Sequence, residues 1–154
     1  MIKEFKFKKC NWNDAPLIGG VYIVIYKKSG IPIFKNPGSG PKIWHERVVN
    51  VPEDKLINKW VDFKNGEDRI IYIGKADGSG YTSTLSYRIN LYKLFGSGRN
   101  VSHYGGRYIW QIANKNDLEV YYKEVKNPRS EENKLLLSFR KEHDQKLPFA
   151  NLKV

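Results

Sequence analysis

A single cysteine, Cys10, stands in a chain of 154 residues. One thiol builds neither an internal disulfide framework nor a multi-cysteine zinc site. No apolar run approaches the roughly 18–20 residues of a membrane span, and the lysine-rich start MIKEFKFKKC lacks the apolar centre of a signal peptide. Both absences predict a cytoplasmic protein with no membrane partner. Internal repeats and long Pro/Ser linkers are also missing, which predicts one domain over residues 1–154, close to the common domain size of about 100–150 residues. Acid is scarce: 16 Asp and Glu against 27 Lys and Arg give a net charge of +11. Apolar residues at 40% and aromatics at 14% are too many for a disordered chain.

The imbalance is uneven along the chain. Residues 69–110 hold six basic side chains and one acid, Asp77, whereas residues 51–68 hold three basic and five acidic ones. A stretch of one sign repels itself unless it faces an anion such as nucleic acid or a membrane surface. Aromatics interleave with these bases, among them Tyr87, Tyr92, Phe95, Tyr108 and Trp110, and that mixture favours nucleic acid over lipid. A general solubility charge is the plainer alternative.

Two runs read as strands from their β-branched and aromatic content, Gly20 to Tyr26 and Arg69 to Gly74. Between them, residues 31–42 read as loop, 43–51 as a short strand, and Pro52-Glu53-Asp54 as a helix start. Ser83-Thr84 can cap a helix to about Leu94, whose stripe Leu85, Arg88, Tyr92, Phe95 is apolar but for Arg88. A short helical segment over 107–113 and a third strand from Leu118 to Val125 follow. Pro128 opens a last helix to about His143, with Glu132, Leu136, Phe139 and His143 on one face. A charge on an inward stripe is costly unless it is paired or functional. A mutual ion pair, or side chains that snorkel to solvent, is the structural explanation for Arg88 and Glu132.

The order of these features carries more than each alone. Gly20-Val21-Tyr22, then Tyr72-Ile73-Gly74-Lys75-Ala76, then Leu85-x-x-Arg88-x-x-x-Tyr92, then Glu132-x-x-Leu135-Leu136, then a late Asn151 resembles the GIY-YIG nuclease family over about residues 19–26 and 69–151. The resemblance implies an α/β (α+β) core, a small three-stranded antiparallel sheet flanked by helices. It implies metal-dependent cleavage of phosphodiester bonds, usually in DNA, with Mg²⁺ or Mn²⁺. Tyr22 and Tyr72 would be the paired tyrosines, Arg88 the helix arginine, Glu132 the metal ligand and Asn151 the late asparagine. Lys75 matches a position often basic in the family, and His103 resembles the histidine that some restriction-type members place beside the site.

The chemistry suits those roles. One carboxylate plus waters and phosphate is ordinary coordination for Mg²⁺. Arginine offers a permanently charged fork to a phosphate. The attacking water needs a base, and a free phenol has a pKa of about 10, so Tyr22 needs help; His103 titrates nearer neutrality. Tyr22 is the favoured direct base, with His103 in support, and Glu131 is the alternative to Glu132 as ligand. His45 and His143 read as structural or exposed. The resemblance departs from the family at residues 27–68, a long insertion between the first two core strands. Its Trp44 and Trp60 are expected to form a small core of its own.

The expected protein is a stand-alone endonuclease, of restriction, phage or mobile-element type. DNA is its partner (RNA stays open), a homodimer is allowed, and Lys75, Arg88, Lys93, Arg99 and Arg107 line the phosphate backbone. The rivals are a non-catalytic nucleic-acid-binding module on the same fold and a basic adaptor for an acidic protein.

Overall fold

The computed structural model describes residues 1–44, 47–101 and 106–153. The chain runs β1 (Lys8–Cys10), β2 (Gly20–Tyr26), a small ribbon of β3 (Ile43–Trp44) and β4 (Arg47–Val48), α1 (Glu53–Lys59), β5 (Ile70–Ala76), α2 (Leu85–Gly96), α3 (Gly106–Ile109), β6 (Leu118–Glu124) and α4 (Pro128–Glu142). Four strands make one antiparallel sheet in the order β1-β6-β2-β5. Among the described residues the fold is therefore α+β, with a four-stranded sheet and four α-helices. No helix among the described residues is long and apolar enough to cross a membrane.

The sheet has one strand more than the three expected. β1 pairs with β6, Lys8 opposite Tyr122 and Cys10 opposite Val120. Two exposed lysines in three residues hide this strand from any alternation pattern. It is held instead by the buried Phe7 and Cys10 and by a Lys9–Glu119 ion pair at 2.6 Å. Burial pushes the Cys10 thiol up to about 12, so it is a small apolar side chain rather than a nucleophile.

β2 lies inside the sheet between β6 and β5, and all seven of its residues are buried. Successive side chains point to opposite faces. Val21, Ile23 and Ile25 meet Leu135, Leu136 and Phe139 of α4 on one face. On the other, Tyr22 joins Leu85 and Ile89, and Val24 and Tyr26 join Tyr92 and Phe95, all of α2. The two helices thus cover opposite faces of the sheet. Each starts on a side-chain cap that satisfies an orphan N–H: Thr84 accepts from Tyr87 N, and Asn127 accepts from Ser130 N with Pro128 in the first turn.

The segment 27–68 is not a separate body. Trp60 packs on Tyr26, Phe34 and Phe149, at ring-centroid distances of 5.5, 6.4 and 5.1 Å. It therefore belongs to the main core and does not form a local one; the Trp44 side chain, like His45, lies outside the described residues. The reason is backbone pairing with 109–113. Phe34 bridges Ile112, and Lys35 N and Ser39 N donate to the carbonyls of Gln111 and Trp110 at 2.7 and 2.9 Å. This pairing also ends α3 at Ile109, short of the 107–113 helix expected.

Gln111, only 2% exposed, closes the junction. Its carboxamide accepts from Val51 N at 2.7 Å and donates to Val51 O at 2.9 Å. Gln111→Leu keeps the volume but strands both buried peptide groups, each worth about 1–3 kcal/mol when left unpaired. Denaturant unfolding is expected to show a loss of roughly 2–4 kcal/mol, with the slope unchanged.

Candidate active site

β5 is an edge strand, and its residues approach both flanking helices. Tyr22 of β2 pairs directly opposite Gly74 of β5. A Cβ on Gly74 would lie 2.7 Å from Tyr22 Cζ, 2.8 Å from the Tyr22 hydroxyl oxygen and 2.7 Å from Tyr72 Cε1. Only glycine leaves room for both rings, whose centroids stand 5.8 Å apart. Tyr72 in turn lies 5.4 Å from Tyr92 of α2. A bulge at Ile71, where the register slips between Val24 and Ile25, brings Tyr72 and Gly74 onto the α2 face.

A cavity of about 220 Å³ opens at this edge, lined by Tyr72, Lys75, Asp77, Ser83, Arg88 and Glu132 together with Ala76. Arg88 comes from α2, three residues past its first, and Glu132 from the second turn of α4. The two helices cover opposite faces, so these charges meet around the strand edge. The Lys75 ammonium sits 3.8 Å from both Glu132 and Asp77. Arg88 forms no ion pair within 4.0 Å among the described residues. Glu131, the alternative ligand, is held by Lys123 at 2.9 Å, while Glu132 lines the cavity.

Burial raises the Glu132 carboxyl above its ordinary value, with Asp77 adding to the rise and Lys75 and Arg88 opposing it. A carboxylate kept in a half-buried place at that cost attracts a compensating cation. Among the described residues no three His, Cys, Asp or Glu side chains gather into a metal cage. The donor set instead fits a hard, water-retaining ion held by one or two carboxylates. Glu132, with Asp77 in the same cavity, would be that set, and the Lys75 ammonium stands beside both.

The tyrosines differ in access. Tyr72 reaches the cavity, whereas Tyr22 is 1% exposed and does not line it. The enclosed Tyr22 hydroxyl lies against Tyr72. Burial drives its pKa well above 10, with the adjacent Tyr72 adding to the rise and Arg88 opposing it. Burial also raises Tyr72, while Tyr22 and Arg88 pull it down. A neutral, deeply buried phenol is poorly suited to act as an unassisted base near neutral pH, which weighs against the direct role expected of Tyr22. His103 lies outside the described residues.

Asn151 does not line the cavity. Its side chain accepts from Ile73 N at 2.9 Å and donates to Ile73 O at 2.8 Å, while Ala150 N donates to Ile71 O. The tail thus pairs with the free edge of β5 up to Ile73, immediately before Gly74 and Lys75. Lys59 of α1 fastens this tail, donating to the carbonyls of Phe149 and Asn151 at 2.7 and 2.8 Å. Asn151 is a positioning residue, and α1 of the inserted segment supports it.

Of the remaining expected contacts, Lys93 bonds to Asn13 and Arg99 is exposed after α2. Arg107 donates to the Tyr108 hydroxyl at 3.3 Å and stands 4.9 Å above that ring, apart from the cavity. Sequence reasoning missed Asp77 as a cavity residue, although it is the one acid in the basic stretch 69–110. Ser83 gave no signal beyond its place before a cap. The chain matches no protein-family model, no curated protein and no solved structure.

These buried phenols set a pH dependence. An unfolded tyrosine ionises near pH 10, and Tyr22 and Tyr92 ionise well above that in the folded protein. Above about pH 10 unfolding therefore releases protons, and stability falls as pH rises. Tyr22→Phe is expected to make that alkaline decline shallower, measured by urea unfolding at stepped pH. An unchanged slope would contradict the burial of an ionisable Tyr22.

Proposed function

We propose that the chain is a metal-dependent endonuclease that hydrolyses phosphodiester bonds in DNA, of the GIY-YIG type its motifs resemble. The observation that carries this reading is the meeting of Tyr72, Lys75, Arg88 and Glu132 in one cavity. They come from one strand, β5, and two helices, α2 and α4, well apart in sequence, and each has the residue type its role requires.

The roles follow from charge and reach. Hydrolysis joins a water oxygen to phosphorus, breaks one P–O ester bond, releases one proton from the water and leaves an alkoxide that takes one proton up. Arg88, without a carboxylate partner among the described residues, offers its guanidinium to the non-bridging phosphate oxygens. Lys75 adds a second positive charge beside the same phosphate. Tyr72, the phenol that reaches the cavity, hydrogen-bonds the attacking water. Tyr22 holds Tyr72 in place from behind and stays protonated. Glu132, with Asp77 near, would hold Mg²⁺ or Mn²⁺, which when bound stabilises the charge that builds on the leaving oxygen. Asn151 keeps the edge of β5 straight under Lys75.

The same cavity favours one other reading. With Lys75 already 3.8 Å from Glu132, the site can hold a backbone phosphate without cutting it, as a nucleic-acid-binding module does. The two readings separate on the carboxylate. Glu132→Gln is expected to lower the cutting rate of duplex DNA by at least about 10²–10³-fold while binding in EDTA stays near wild type. Arg88→Lys is expected to stay impaired, because a point charge does not replace the fork. Wild-type cutting by Glu132→Gln would overturn the ligand assignment.

A further inference from the structure

A second and larger cavity, of about 340 Å³, has Trp12, Trp110, Lys93, Lys115, Asn13 and Asn116 among its lining residues. That volume is at the low end for small-ligand sites. Its aromatic wall is fixed in advance. The Trp110 ring lies against Gly96, where a Cβ would come within 2.3 Å of it, and its Nε1 donates to Tyr92 O at 2.9 Å. Trp12, half-buried, stacks on Tyr92 with ring planes 14° apart and meets Trp110 at 5.6 Å. The bond from Lys93 to Asn13 ties the 11–14 turn to α2 and closes one side. Among the described residues no acid lines this cavity.

We propose that this cavity binds one unpaired nucleotide of the DNA strand, its base against the Trp12–Trp110 wall and its phosphate on Lys93 and Lys115. Each part answers a part of a nucleotide. Every base has a π-face that stacks on indole. The carboxamides of Asn13 and Asn116 offer donors and acceptors to a base edge. The two ammonium groups suit a phosphate. An acidic peptide would use the lysines and leave the rings idle. The position also fits, because the Tyr92 ring is shared: it touches Tyr72 of the first cavity at 5.4 Å and Trp12 of the second at 5.9 Å. The choice of substrate strand rests on the nuclease reading; the stacking site itself does not.

The test uses the whole protein in EDTA and a short fluorescent oligothymidylate, read by anisotropy. Trp12→Ala is expected to weaken binding by about 5- to 150-fold, the range for loss of one stacked base, while Trp12→Phe retains most of the affinity. Trp12 also packs on the core, so the exposed Lys115→Ala serves as a variant that does not threaten folding; it is expected to lower the salt slope of binding by about one. The proposal is overturned if Lys115→Ala keeps the wild-type affinity and salt slope. It also falls if a Trp12→Ala protein with normal melting binds as wild type, or if oligoglutamate of equal charge displaces the oligonucleotide as well as unlabelled oligothymidylate does. A protein that stacks the strand through Trp12 yet never cuts DNA sinks the nuclease reading alone. One that cuts DNA while Trp12→Ala binds normally sinks this proposal alone.

Discussion

The site depends on a side chain that is not there. Gly74 sits opposite Tyr22 in the β2–β5 pairing, and the space of its missing Cβ is filled by two phenol rings. Any larger residue would overpack this contact at a cost of about 1–3 kcal/mol. It would also push Tyr72 off the cavity wall. From this contact the rest follows in order. Tyr72 is placed against Tyr92, Tyr92 against Trp12 and Trp110, and the open end of β5 is left beyond Ile73 for Lys75.

Around that frame the charges are arranged by the sheet edge rather than by a pocket in one face. α2 and α4 cover opposite faces, yet Arg88 and Glu132 line one cavity because, among the described residues, β5 has no strand on its outer side. The tail supplies that side only as far as Ile73, through Asn151. The inserted segment contributes at one remove, since Lys59 holds the tail and Gln111 holds the segment to the core. Its packing against the core supports the tail that lies along this edge.

Much of this was legible in the residues. Val21 to Tyr26 is β-branched and aromatic throughout, and it forms an inner strand; the stripes of α2 and α4 follow a helical period, and Arg88 and Glu132 meet in the cavity. Thr84 caps α2 and Pro128 opens α4, as their places in the sequence predict. What stayed hidden is non-local. β1 has only three residues, two of them lysine, and exists because β6 offers an edge. Trp60 looked like the centre of a small separate core because its partners Tyr26, Phe34 and Phe149 are scattered through the chain. Asn151 looked like a site residue, and only the pairing with Ile73 shows it acting through the backbone. The depth of Tyr22 was equally invisible, since a tyrosine in a strand reads the same whether its hydroxyl is open or enclosed.

The central claim is that the cavity of Tyr72, Lys75, Arg88 and Glu132 breaks phosphodiester bonds. Incubation of the purified protein with supercoiled plasmid, in Mg²⁺, in Mn²⁺ and in EDTA, tests it most directly. The account predicts nicked and linear products with either ion and intact supercoiled plasmid in EDTA. Plasmid that binds the protein but stays supercoiled with both ions would contradict it.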